Sequence, residues 1–169
     1  MKLNVPLIKQ EGKLDCGFIA LRMVLEYFGK NISSKEISKF TGGLKSYGNS
    51  TIELAEFARS IGFDVDCFTY NKKMSNGKAE FRKPSKKNII GFLNNKIPVI
   101  ITLRSFLLFD NKPSSSGHFI VINGYSDHMF YYVDPYDGKE HEIDEDKLLF
   151  AWHNNILNSS AYLLAIKFI

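Results

Sequence analysis

Cysteine is scarce: the 169-residue chain holds only Cys16 and Cys67. Two cysteines exclude a disulfide framework, and with no Cys-x-x-Cys anywhere they exclude the usual four-ligand zinc site. Each is therefore a small core hydrophobe or a reactive thiol. No uninterrupted apolar run approaches the roughly 20 residues of a membrane span. Residues 1–6 lack the apolar segment of a secretory signal, so the sequence reads as cytoplasmic. A Gly-x-x-x-x-Gly-Lys-Ser/Thr phosphate loop is also absent. Charge of one sign is modest: 22 basic residues against 18 acidic give a net +4. That is too little for nucleic acid without a concentrated basic stripe. Of the four histidines, His128, His141 and His153 show no metal-ligand spacing, and the stretch from Asp134 to Gly138 has no calcium-loop pattern. The expectation is no metal, no cofactor and no nucleic-acid partner.

What is present is core-forming bulk. Apolar residues make up 44% of the chain and aromatics 14%, which excludes disorder as the main state. A helix is expected over about residues 15–28, where Leu21, Val24, Leu25 and Phe28 follow the 3.6-residue stripe and Gly29 supplies the stop. Ser33 with Glu36 and Ser50 with Glu53 announce two further helices by capping boxes. The first ends at Gly42-Gly43, a helix cap rather than a double-glycine cleavage site. The second carries Leu54, Phe57, Ala58 and Ile61 on one face. The period then falls to two. Phe63, Val65 and Cys67 alternate with Asp64 and Asp66, a half-buried strand that makes Cys67 structural. Residues 71–87 read as a polar, lysine-rich connection, and its Lys72, Lys73, Lys78, Arg82, Lys83, Lys86 and Lys87 as a solvated face. A helix over about 85–95 leads to strands near 99–103, 118–125, 130–133, 139–143 and 161–168. Asp144 caps a last helix between the final two strands. Helices first and an antiparallel sheet second is an α+β order.

Cys16 falls in the first turn of the first helix, where unpaired N–H groups and the helix dipole favour thiolate. Gly17 leaves room there for a substrate backbone. His118 opens the central strand and Asp134 ends the next one. A symmetric hairpin between them opposes the two on one face, with Asp134 accepting Nδ1–H and Nε2 left free. A thiol completing that pair is a nucleophile set for acyl transfer. The backbone N–H of Cys16 and the side-chain amide of Gln10, six residues upstream, are the candidate oxyanion donors.

Gln10, Asp15-Cys16-Gly17 and Met23-Val24, then Asn49-Ser50-Thr51 with Gly62-Phe63, then Gly117-His118 and Asp134-Pro135 with Gly138, resemble the bacteriocin-processing leader peptidases. These papain-like cysteine proteases usually form the N-terminal domain of peptide-exporting ABC transporters. The resemblance implies one papain-like cysteine peptidase domain over residues 1–169, its N-terminal helical half packed on an antiparallel β-sheet. It implies Cys16 as nucleophile, His118 as general base, Asp134 as orienting carboxylate and Gln10 as oxyanion donor. The implied substrate is a peptide or protein, such as a leader or precursor peptide, and the implied partner is a separate peptide-export transporter. Two other readings use the same residues. One is a nucleotide-handling protein of the guanylyl-cyclase-like branch, to which Arg22-Met23-Val24-Leu25 and Gly124-Tyr125 are similar. The other is a peptide-binding module without turnover.

Overall fold

The computed structural model describes residues 1–105, 108, 117–153 and 161–168. Three helices come first: α1 (Cys16–Tyr27), α2 (Ser34–Thr41) and α3 (Thr51–Ser60). They are followed by β1 (Phe63–Thr69), α4 (Lys72–Ser75), β2 (Glu80–Phe81), α5 (Lys86–Asn94) and β3 (Val99–Arg104). Then come β4 (Gly117–Ser126), β5 (Met129–Asp134), β6 (Lys139–Asp144), α6 (Glu145–His153) and β7 (Leu163–Phe168). The expected helical half and antiparallel sheet are both present. No described helix is long and apolar enough to cross a membrane.

Helix α1 is the hub of the core. Phe18 to Leu21 and Met23 to Leu25 are all buried, so the helix is enclosed on nearly every side. Its neighbours are β4, α2 and α3. Each fully buried Leu or Val contributes roughly 1.5–3 kcal/mol of transfer free energy, which fixes the helix, and Cys16 at its start, to the sheet. Ser33 and Glu36 form the capping box read from the sequence, with Glu36 N–H donating to Ser33 Oγ at 3.2 Å. The second box is a correction. Ser50 occupies the N-cap of α3 but accepts no capping hydrogen bond. The next hydroxyl, Thr51 Oγ1, meets Thr102 Oγ1 at 3.2 Å instead and ties α3 to β3.

The sheet has the order β2-β1-β7-β3-β4-β5-β6. All pairs are antiparallel except β1 with β2. Chain order and spatial order differ: β7, last in the sequence, lies inside the sheet between β1 and β3. The stretch read as a connection at 71–87 also holds more order than expected. Asn71 Oδ1 caps α4, and β2 adds a short parallel edge to β1. Six of its seven cations are exposed, as expected of a solvated face, and three of the seven have partners. Lys78 pairs with Glu56 at 2.8 Å, Lys86 with Glu145 at 2.8 Å, and Arg82 lies 4.0 Å from the Phe68 ring centre.

Residues 1–10 run as a strap along the β4–β5 hairpin. Leu3 N–H donates to Asn123 O at 2.7 Å, and Gln10 N–H donates to Pro135 O at 2.7 Å. The strap thus carries Gln10 to the end of β5 where Asp134 stands.

Candidate active site

Cys16 is the first residue of α1 and is partly exposed, whereas Cys67 on β1 is buried. Burial pushes the Cys67 thiol up to about 12, which leaves it protonated and unreactive at neutral pH. Cys67 is therefore structural, as the sequence suggests. Asp15, at the N-cap of α1, makes no capping bond. Its Oδ2 turns back to accept the N–H groups of Glu11 at 3.3 Å and Gly12 at 3.1 Å, closing the loop that precedes Cys16.

His118 is 7% exposed and Asp134 1% exposed. His118 Nε2 and Asp134 Oδ1 are 2.7 Å apart. The same carboxylate oxygen accepts Tyr136 N–H at 2.8 Å, which fixes its orientation. The pair forms as expected, but not by the expected geometry. The hairpin turns through Asp127 and His128, both at positive φ, with Ser126 paired to Met129. Its register then shifts by one between Ile122 and Gly124, so that Val121 faces Val133. That register sets Ile120, not His118, level with Asp134. His118 is the diagonal neighbour two residues along the same face, a separation of roughly 7–8 Å that long side chains span. The far ring nitrogen, Nε2, makes the contact, so the nitrogen assignment expected from the sequence is reversed. Nδ1 is the nitrogen that Asp134 leaves over, and the ring also interacts with the Cys16 side chain. Burial opposes charge on the His118 ring, but the hydrogen bonds to Asp134 and Cys16 outweigh it and raise its pKa to about 10. At neutral pH the ring is therefore protonated and carries an N–H on each nitrogen, the Nε2–H toward the carboxylate.

Gln10 is half-buried on the strap. Its Nε2 donates to Gly12 O at 2.7 Å, so the amide has a local structural bond that the sequence did not suggest. One Nε2–H remains for another acceptor. Gly138, at φ +67°, sits under this segment: a Cβ there would lie 2.8 Å from Lys9 N. The turn after β5 thus holds the Asp134 carboxylate and supports the backbone next to Gln10. Gly17 is also used differently than expected. A Cβ at Gly17 would meet the Asn49 side chain at 2.7–3.0 Å, so the space beside Cys16 is occupied by Asn49. Glycine at this helical position costs roughly 0.5–1 kcal/mol relative to alanine. Asn49 was legible as part of a motif but not as a site residue, and the signal was Gly17 itself, a glycine inside an apolar helix. Asp134 Oδ2, Gln10 Oε1, Asp15 Oδ1 and Asn49 Oδ1 are buried acceptors without a donor among the described residues. All four lie on the segments around Cys16 and Asp134, and a fifth, Asn123 Oδ1, lies on β4 where the strap crosses it.

The structure therefore brings Cys16, His118 and Asp134 together and sets Gln10 on a strap bonded to the residue after Asp134. A thiol, an imidazole and a carboxylate in sequence is the arrangement of nucleophilic acyl transfer.

No curated protein matches the chain. Solved structures share its fold. One is a double glycine motif protease from an AMS/PCAT transporter, in complex with the leader peptide, at 21% identity and a TM-score of 0.62, covering 99% of this chain and 94% of that one. The peptidase domain of Streptococcus ComA, a bi-functional ABC transporter, aligns at 15% identity and a TM-score of 0.70, over 98% of this chain and 100% of that one. A C39-like peptidase from Bacillus anthracis aligns at 18% identity and a TM-score of 0.70, over 99% and 98%. The fold is thus the papain-like one of these peptidases. The Peptidase_C39 like family model matches residues 2–157, nearly the whole length, and it is to this family that the chain belongs.

Proposed function

We propose that the protein is a cysteine peptidase that hydrolyses a peptide bond through Cys16, His118 and Asp134, with Gln10 as oxyanion donor. The single observation that carries this reading is the buried His118–Asp134 pair at 2.7 Å, whose ring also interacts with Cys16 at the start of α1. In the reading, Cys16 Sγ attacks the scissile carbonyl carbon as thiolate. The oxyanion that develops is met by the Cys16 backbone N–H and by the second Nε2–H of Gln10. His118, already protonated, gives its Nδ1 proton to the departing amine as the C–N bond breaks. A thioester remains. Water then attacks it while His118 takes a proton from that water, and the C–S bond breaks to release the acid and restore Cys16. Asp134 holds the ring by Nε2 throughout and stabilises its charge.

The proposed substrate class is a leader or precursor peptide lying extended in the groove between the helices and the sheet, and the proposed partner a peptide exporter. This rests on the neighbours, one a protease bound to a leader peptide and another the peptidase domain of an ABC transporter. A cytoplasmic setting agrees with two free cysteines. The test is a mass-spectrometric digest of a diverse peptide mixture. Cleavage by wild type and none by Cys16→Ala is the expected result. Identical products from both proteins, or binding of peptides without any cleavage, would overturn the peptidase reading.

A further inference from the structure

Asn49 stands apart from the groups used above. It belongs to the loop before α3, which the bridge between Lys45 and Gly48 closes with hydrogen bonds of 3.0 and 2.9 Å. That loop runs beside the nucleophile's own segment. A Cβ at Gly48 would lie 3.2 Å from Leu14 O, and one at Gly17 would lie 2.7 Å from Asn49 Oδ1. The Asn49 carboxamide therefore rests on the residue that follows Cys16, and only glycine at position 17 allows it. The side chain makes no hydrogen bond among the described residues, and its buried Oδ1 is one of the acceptors without a donor. Leaving such a group unmet is costly in an ordinary core, and a glycine inside a helix is a second cost taken at the same spot. Both costs make sense if a ligand completes the pairing.

A carboxamide has the donor and acceptor of a peptide group, so its natural complement is an extended peptide backbone. The reverse assignment of its N and O offers the same pair. We propose that Asn49 is a substrate-binding residue, whose carboxamide pairs with a backbone amide of the bound peptide next to the scissile bond. The proposal deepens the peptidase reading and rests on it.

The experiment compares two reagents that alkylate Cys16: acetyl-Gly-Gly chloromethyl ketone, which has a backbone to recognise, and iodoacetamide, which has none. In each case Sγ displaces the halide and forms a thioether. The readout is the ratio of the two second-order rates, with thermal melting as the folding control. Asn49→Ala should lower the ratio by about tenfold, and Asn49→Leu, which keeps bulk against Gly17, should do the same. N-methylation of the reagent's glycine amides should lower the wild-type ratio by a similar factor and have little further effect on the variants. Equal slowing of both reagents would make Asn49 a support for Cys16 and overturn the proposal. Full sensitivity to N-methylation in Asn49→Ala would also overturn it. A wild-type Cys16 that reacts with the peptidyl reagent no faster than Cys67 would defeat the peptidase reading itself.

Discussion

At each end of the β4–β5 hairpin a histidine meets a carboxylate, and the two pairs have almost the same length. His118 and Asp134 meet at 2.7 Å at the open end, and His128 and Glu145 meet at 2.8 Å at the turn. Their surroundings separate them. The His118 side chain is 9% exposed and touches a thiol, whereas the His128 side chain is 77% exposed. Glu145 also accepts Lys86 Nζ at 2.8 Å and Tyr125 Oη at 2.7 Å, so it ties α5, β4 and the turn to the start of α6. One pair is buried beside the Cys16 thiol. The other is a clasp between elements. A short histidine–carboxylate distance therefore identifies nothing by itself, and burial next to a reactive group is what distinguishes a site.

The largest effect expected from breaking this comparison falls on turnover. His118→Ala should reduce peptide cleavage by roughly 10³-fold or more, because nucleophile and base act as a unit. His128→Ala should leave cleavage nearly as it was. Steady-state assays of both variants on one cleaved peptide would check this, and comparable losses would erase the distinction between the two ends.

Gln10→Ala comes next. Loss of an oxyanion donor typically costs on the order of 10²–10³ in turnover, or roughly 2.7–4 kcal/mol. The bond from Nε2 to Gly12 O means that this variant should also melt a few degrees lower, since a net hydrogen bond is worth about 1 kcal/mol. A rate loss with no change in KM would separate the oxyanion role from a mere loosening of the strap. Asp134→Asn should be milder, about 10- to 100-fold or 1.4–2.7 kcal/mol, because an amide still orients the ring but loses the charge.

The two ends should also differ in how stability responds to pH. The folded pKa of His118 is raised, to about 10, from an ordinary value of 6.5. Its contribution is then fully present below about 6.5 and is lost as pH rises through about 10. For Glu145 the sign is opposite. Hydrogen bonds from Lys86, His128 and Tyr125 lower its pKa from 4.5 to about 2, so its contribution is present above 4.5 and is lost as pH falls through about 2. Chemical denaturation across pH should show the alkaline loss vanish in His118→Ala and the acid loss shrink in Glu145→Gln. The reverse assignment would contradict the description of both ends.

Much of this site is legible in the sequence, for identifiable reasons. The α1 stripe of Leu21, Val24 and Leu25 and its Gly29 stop are local signals, and they suffice to set Cys16 at a helix start. The apolar strand from His118 and the turn before Met129 suffice to bring His118 near Asp134. What local signals do not carry is the register. The shift beside Gly124 occurs where the strap meets the hairpin, through Lys2 paired with Gly124 and Leu3 bonded to Asn123. A glycine within an apolar strand is the one hint of that bulge. The diagonal reach that puts Nε2 on Asp134 follows from it. Asn49 carries no local signal, because its contact is with Gly17, 32 positions away across two helices. Likewise β7 joins the middle of the sheet through long-range pairing that periodicity does not encode.

The central claim is that His118 activates Cys16, and alkylation of the native protein tests it most directly. Iodoacetamide labelling at pH 7, followed by peptide mapping, would be timed for wild type and His118→Ala. The account predicts that Cys16 is labelled first, that Cys67 stays protected until the fold opens, and that Cys16 slows about tenfold or more without the imidazole. Faster labelling of Cys67, or the same Cys16 rate in both proteins, would contradict it.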